Sequence, residues 1–169
     1  MSTGPITAPA GDDPWAGCVF ARLDGPDDEC IFCDTRLHYT AGESLVDGEN
    51  RWFLATRCPG CGNEWLECGR GLPSEPARTI LTERTGQWVA TVGPETTSAT
   101  PIMRAFRRIY RDTISEARQR ADQLRRNGLR GTHGEMLVLR HHLADLGVGL
   151  EIAEAPSVVP PPGQSQRGL

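Results

Sequence analysis

Residues 57–69 read RCPGCGNEWLECG, and the Cys58-Pro59-Gly60-Cys61 turn inside them has a counterpart upstream, Cys30-Ile31-Phe32-Cys33, with 24 residues between the inner cysteines. A short Cys-x-x-Cys turn lets two sulfurs converge about 2.3 Å from one ion, while amides of the turn donate to the thiolates. Gly62 supplies the positive-φ step that such a knuckle needs. A thiol-disulfide enzyme would instead place its Cys-x-x-Cys at a helix N-terminus, and the sequence predicts no helix after Cys33 or Cys61. Four cysteines also close a tetrahedral shell, whereas catalytic zinc keeps a position open. The expectation is one structural Zn2+ per chain, on Cys30, Cys33, Cys58 and Cys61. Cys18, Cys68 and His38 are the other candidate ligands; the simpler reading makes the cysteines small apolar residues and His38 an ordinary strand residue.

Working outward, RLHYTA (36–41) and NRWFLATR (50–57) alternate or run apolar and are joined through Asp47-Gly48, a hairpin signal. NEWLECG (63–69) reads as a further short strand. A hairpin that brings two Cys-x-x-Cys knuckles together resembles a zinc ribbon over about residues 28–70. Many zinc ribbons handle nucleic acid, but residues 1–75 carry 5 arginines against 13 carboxylates, a balance of −8 that opposes phosphate. Trp52 and Trp65 read as core aromatics of the hairpin.

The prolines and glycines of GRGLPSEP (69–76) mark a boundary, and the texture then changes. GQWVATVG (86–93) and GLEIA (149–153) read as strands. Between them Pro101 opens a helix with Ile102, Phe106 and Ile109 on one face. Thr113 and Glu116 form a capping box for a second helix carrying Ile114, Ala117, Ala121 and Leu124, stopped at Gly128. A third helix carries Met136, Leu139, Leu143 and Leu146 and ends at Gly147; a short strand near Leu129 is optional. The fold class expected is α+β: a small β zinc ribbon plus a small sandwich of strand-helix-helix-(strand)-helix-strand. The domain boundaries follow: a disordered tail at 1–15, the ribbon at 16–71, a linker at 72–86, the sandwich at 87–153 and a second disordered tail at 154–169.

PIMRAFRRIYRDTISEARQRADQL (101–124) and LRHHLADLGVGLEI (139–152) resemble the C-terminal domain of the bacterial ribosomal large-subunit stalk protein over about residues 87–153. Met103-Arg104 and Arg107 stand where that family's first helix has Ile-Lys and Arg. Ile114-Ser115-Glu116-Ala117-Arg118 stands where it has Leu-Lys-Glu-Ala-Lys. Arg111-Asp112-Thr113 replaces the family's Gly-Leu-Gly turn, and a ribbon stands in place of its dimerisation region. The resemblance implies a protein-docking surface, since the family's first helix recruits translation GTPases.

Charge patterning points to the same helix. Residues 104–130 hold nine arginines against three acids, a balance of +6 in a chain whose net charge is −4. The candidate partner-binding residues are Met103, Arg104, Arg107 and Arg118, implied by the resemblance, with Arg108 and Arg111 from the charge pattern; the arginines suit an acidic protein surface or RNA. No nucleophile elbow, phosphate-binding glycine loop or His-Glu-x-x-His helix is present. His141 and His142 diverge by about 100° on a helix and cannot grip one ion from the same side, and His133 has no evident partner. The expected function is thus a non-catalytic zinc-binding adaptor or regulator, translation-associated by the resemblance. The alternative is an RNA- or DNA-binding regulator using the same arginines. With neither a basic n-region nor an apolar run at its start, the chain reads as cytoplasmic and without membrane contact.

Overall fold

The computed structural model describes residues 19–156 except 95 and 97, with side chains from residue 29 onward. Cys18 and the tails at 1–15 and 157–169 lie outside the described residues. Among the described residues the fold is mixed α+β, with two sheets and four helices. Strands β1 (Val19–Glu29), β2 (Arg36–Val46), β3 (Glu49–Arg57) and β4 (Glu64–Arg70) form an antiparallel meander in that order. Asp47 and Gly48 both have positive φ, 52° and 77°, the mirror-image turn geometry that suits the right-handed twist of a hairpin.

The stretch read as a linker holds a helix, α1 (Glu75–Thr85). It packs across β1, β2 and β3, and its Ala77, Ile80 and Leu81 complete a small core with Ala41, Trp52 and Leu54. Pro76 in the first turn, weighed above only as a boundary signal, is also a helix-start residue. Trp52 lies flat over Gly69 on the neighbouring strand, where a Cβ would sit 2.6 Å from the indole.

The second sheet has the order β6 (Leu129–Gly131), β5 (Trp88–Val92), β7 (Leu150–Glu154), all antiparallel. Helices α2 (Thr100–Tyr110), α3 (Ile114–Asn127) and α4 (His133–Ala144) enclose a core around Ile102, Phe106, Leu124, Met136, Leu139 and Leu143. Thus the expected strand-helix-helix-strand-helix-strand order is observed, the optional strand included. Ile114 departs from expectation: as the first residue of α3 it precedes the turn that faces the core and is exposed. The last strand also runs past the expected boundary, since Glu154 belongs to β7 and the Ala155 amide donates to Gln87 O at 2.7 Å. Arg111 caps α2 in the left-handed region at φ 56°, the conformation a glycine would adopt more cheaply. No helix among the described residues is long and apolar enough to cross a membrane.

A buried polar knot joins the two sheets. Glu43, on β2, is 2% exposed, and its carboxylate sits at the N-terminus of α4. It accepts from the Thr132 hydroxyl at 2.6 Å, the Gly134 amide at 2.8 Å and the Asn50 amide at 3.3 Å. Thr132 is meanwhile the N-cap of α4 in a capping box with Glu135, a second Thr-x-x-Glu motif that the sequence carries openly. Glu135 in turn receives a bidentate Arg78 from α1, at 2.9 and 3.3 Å. Gly134 has no room for a side chain: a Cβ would meet Asn50 Oδ1 and Glu43 Oε2, each at 2.6 Å.

Two caps of the same sequence type therefore sit in different surroundings, exposed at Thr113 and fully buried at Thr132. Thr113→Ala is expected to cost about 1 kcal/mol. Thr132→Ala should cost about 2–3 kcal/mol, because it also leaves the buried Glu43 carboxylate short of a donor. Urea unfolding of the two variants checks this; equal losses would contradict a buried knot.

Candidate metal centre

Local geometry brings the four cysteines together before any ion is considered. In the first knuckle the Cys30 amide donates to Thr35 O at 2.9 Å, and the Cys33 and Asp34 amides turn back to Cys30 O at 3.2 and 2.8 Å. The second knuckle mirrors it: the Cys58 amide donates to Asn63 O at 2.8 Å and the Gly62 amide to Cys58 O at 3.0 Å. The residue after each Cys-x-x-Cys has positive φ, 53° at Asp34 and 76° at Gly62. Gly62 therefore has the role expected of it. Asp34 does the same without a glycine, which its short polar side chain tolerates.

The ligand atoms of Cys30, Cys33, Cys58 and Cys61 all lie within 4.8 Å of one another. Cys30 Sγ is 3.6 Å from Cys61 Sγ, and Cys33 Sγ is 3.4 Å from Cys58 Sγ. Four sulfurs about 2.3 Å from one tetrahedral centre would stand about 3.8 Å apart, so the cluster fits a bound metal ion and is compatible with structural zinc. Cys30 and Cys58 are buried, while Cys33 and Cys61 face outward. Thr35 and Gly60 are the residues of the site that sequence reading passed over. The Thr35 hydroxyl lies 3.4 Å from Cys33 Sγ. A Cβ on Gly60 would collide with that same hydroxyl.

The thiols divide their protons unevenly. Side-chain and backbone hydrogen bonds from Thr35, helped by Cys58, hold Cys33 down to about 6. At Cys61 a backbone hydrogen bond from Asn63 pulls the pKa down, but desolvation and the sulfurs of Cys58, Cys30 and Cys33 outweigh it and push the thiol to about 12. Four thiolates this close repel one another until a cation neutralises them.

Cys68 stands apart on β4, exposed and paired across the sheet with Phe53; it is not a buried apolar residue. His38 lies within β2, in register with Arg57, and is outside the cluster. The two hairpin tryptophans separate: Trp52 is core at 7% exposure, whereas Trp65 is 42% exposed. Trp65 stacks on Phe32 of the first knuckle, with rings 9° from parallel and 6.4 Å between centroids. Ile31, at 85% exposure, extends this apolar tip.

Of the residues read as partner-binding, Arg104, Arg107 and Arg108 are exposed along α2, Arg111 at its C-cap and Arg118 on α3. Met103 instead packs partly against the core, which narrows an outward role for it. Compared with known protein families, curated proteins and solved structures, the chain matches none.

Metal uptake should displace protons from the thiols, so affinity is expected to fall as pH drops from 8 toward 6. Competition with a chelator of known affinity measures this. Cys61→Ser should lose the metal, while Cys68→Ser should keep the full complement by elemental analysis.

Proposed function

We infer that the chain is a non-catalytic adaptor or regulator, built on a structural zinc site and docking a macromolecular partner through the arginines of α2 and α3. The zinc reading is supported by four sulfurs at mutual distances suited to tetrahedral coordination. With four thiolates the shell leaves no position for a substrate, which favours a folding role for the ion over chemistry. Reduced thiols and a thiolate metal site fit a cytoplasmic setting.

The observation that carries the docking reading is the state of the arginines. Arg104, Arg107, Arg108, Arg111 and Arg118 are exposed, and among the described residues none of them is held by a carboxylate. The carboxylates of the same region are engaged elsewhere: Asp112 pairs with Arg120 at 2.9 Å, and Glu116 closes the α3 capping box. Cationic side chains without internal partners are available to an acidic protein surface. The likeness to the ribosomal stalk C-terminal domain suggests a partner in the translation machinery, and it rests on the α2–α3 residues named above. The exposed Ile31, Phe32 and Trp65 give the protein a second, apolar contact region at the metal end.

Two measurements test this reading. Purified protein should contain about one zinc per chain and lose its native near-UV spectrum when the zinc is chelated. A crosslinking pull-down should capture a protein whose recovery survives RNase and collapses when Arg104 and Arg107 are both changed to Glu. Loss of capture on RNase treatment would instead support RNA recognition by the same helix, and loss on DNase treatment DNA recognition.

A further inference from the structure

The tip of the β2–β3 hairpin meets the C-terminal part of α4 at the end of the molecule remote from the cysteines, and a cleft of 440 Å³ opens there. Gly48 in the turn packs so tightly on the His141 imidazole that a Cβ would sit 2.5 Å from it. The strands contribute Arg51 and Arg70, α2 contributes Arg108, and α4 contributes His141 and His142.

The arrangement is electrostatically unfinished. Arg51 and Arg70 are direct cross-strand partners on β3 and β4, so two cations stand side by side on one face. Glu49 reaches only Arg70, at 3.6 Å and with both groups largely exposed, which is a weak pair. Among the described residues, Arg51 Nε and His142 Nδ1 are buried nitrogen atoms without a hydrogen-bond partner. Asp47 is the other acid on the lining. A metal cation is the wrong occupant: among the described residues only the four cysteines bring three or more ligand atoms together, and three arginines would repel it.

We propose that this cleft binds a phosphate dianion, free or as the phosphomonoester of a small molecule, gripped by the cross-strand Arg51–Arg70 pair and Arg108 beside the His141–His142 imidazoles. Planar guanidinium groups match phosphate geometry with paired hydrogen bonds, and an anion between Arg51 and Arg70 removes their mutual repulsion. His142 already senses the same field. Burial first, then the positive charges of Arg108 and His141, depress its pKa, against the opposing influence of Asp145 and Glu49. The anion site stands independently of the docking surface, with which it shares only Arg108.

The test is an NMR titration of the full, metal-loaded chain with inorganic phosphate and, separately, ribose 5-phosphate, at ionic strength held constant with sodium chloride. Saturable shifts at the His141 and His142 imidazoles are expected, together with a rise in the His142 pKa as the anion fills the cleft. Arg51→Gln and Arg70→Gln should each weaken binding by at least about tenfold while retaining metal and a native spectrum. Arg84→Gln, an exposed charge on α1, should leave binding unchanged. If one strand variant misfolds, the other decides. Tighter binding of ribose 5-phosphate than of phosphate identifies the monoester, and the reverse identifies the free ion. The proposal is overturned by shifts that do not saturate, by equal weakening in Arg84→Gln, or by an affinity indifferent to both strand variants. It also fails if a single-stranded oligonucleotide, whose internal phosphodiesters carry one charge each, occupies the cleft while phosphate does not.

Discussion

A carboxylate taken almost wholly out of water must be met by donors placed before it arrives, and the Glu43 side chain sets that demand for the whole molecule. Its donors come from β3 and from the first turn of α4, and no other described charge is buried so deeply. Desolvation raises its pKa, opposed by the hydrogen bonds of Gly134, Thr132 and Asn50. Burial thus makes ionisation costlier than in water, and truncating any one donor leaves a buried acceptor short. The N-terminal end of α4 helps, since its free amides and dipole attract negative charge. Glu135 in the same turn would repel Glu43, and the bidentate Arg78 offsets this from α1. Sheet, α1 and α4 are therefore fixed relative to one another by directional bonds as well as by apolar contact.

The four-cysteine cluster at the other end of the hairpin fits a different problem. The first core is small, with Leu81, Ile80, Leu54 and Trp52 as its large members. β4 contributes little to it, being exposed at nearly every position. A domain with so little to bury would gain from an ion held by the four cysteines, which would tie the knuckle after β1 to the knuckle after β3. The sheet thus has a polar lock near one end and a thiolate clasp at the other.

Much of this was legible because local signals are strong where backbone geometry is special. The Cys-x-x-Cys pairs, the Asp47-Gly48 turn, the Thr113–Glu116 box and the helical spacing of Ile102, Phe106, Leu139 and Leu143 each name their structure without tertiary help. Helix α1 was missed because Pro and Gly near residues 69–76 were read only as breakers, and its apolar stripe of Ala77, Ile80 and Leu81 is short. Strand β1 was hidden in a similar way: Asp24-Gly25-Pro26-Asp27-Asp28 has the composition of a loop, and its pairing register indeed shifts between Asp24 and Glu29. Two of the three partners of Glu43, Thr132 and Gly134, are 89 and 91 positions away in sequence. The Arg51–Arg70 cleft likewise forms only after the strands align, so no local pattern announces either.

The hairpin that joins these features also sets how the chain must assemble. β2 begins beside the first knuckle, carries Glu43 along its length and ends at the turn under His141. The Thr132–Glu135 box closes the first turn of α4 locally, but that turn is buried against Glu43, so its burial requires β2 in place between β1 and β3. Two hydrophobic cores that look separable should therefore melt in one transition, with α4 amides exchanging with solvent at a rate that tracks occupancy of the cysteine cluster at the opposite end of the hairpin.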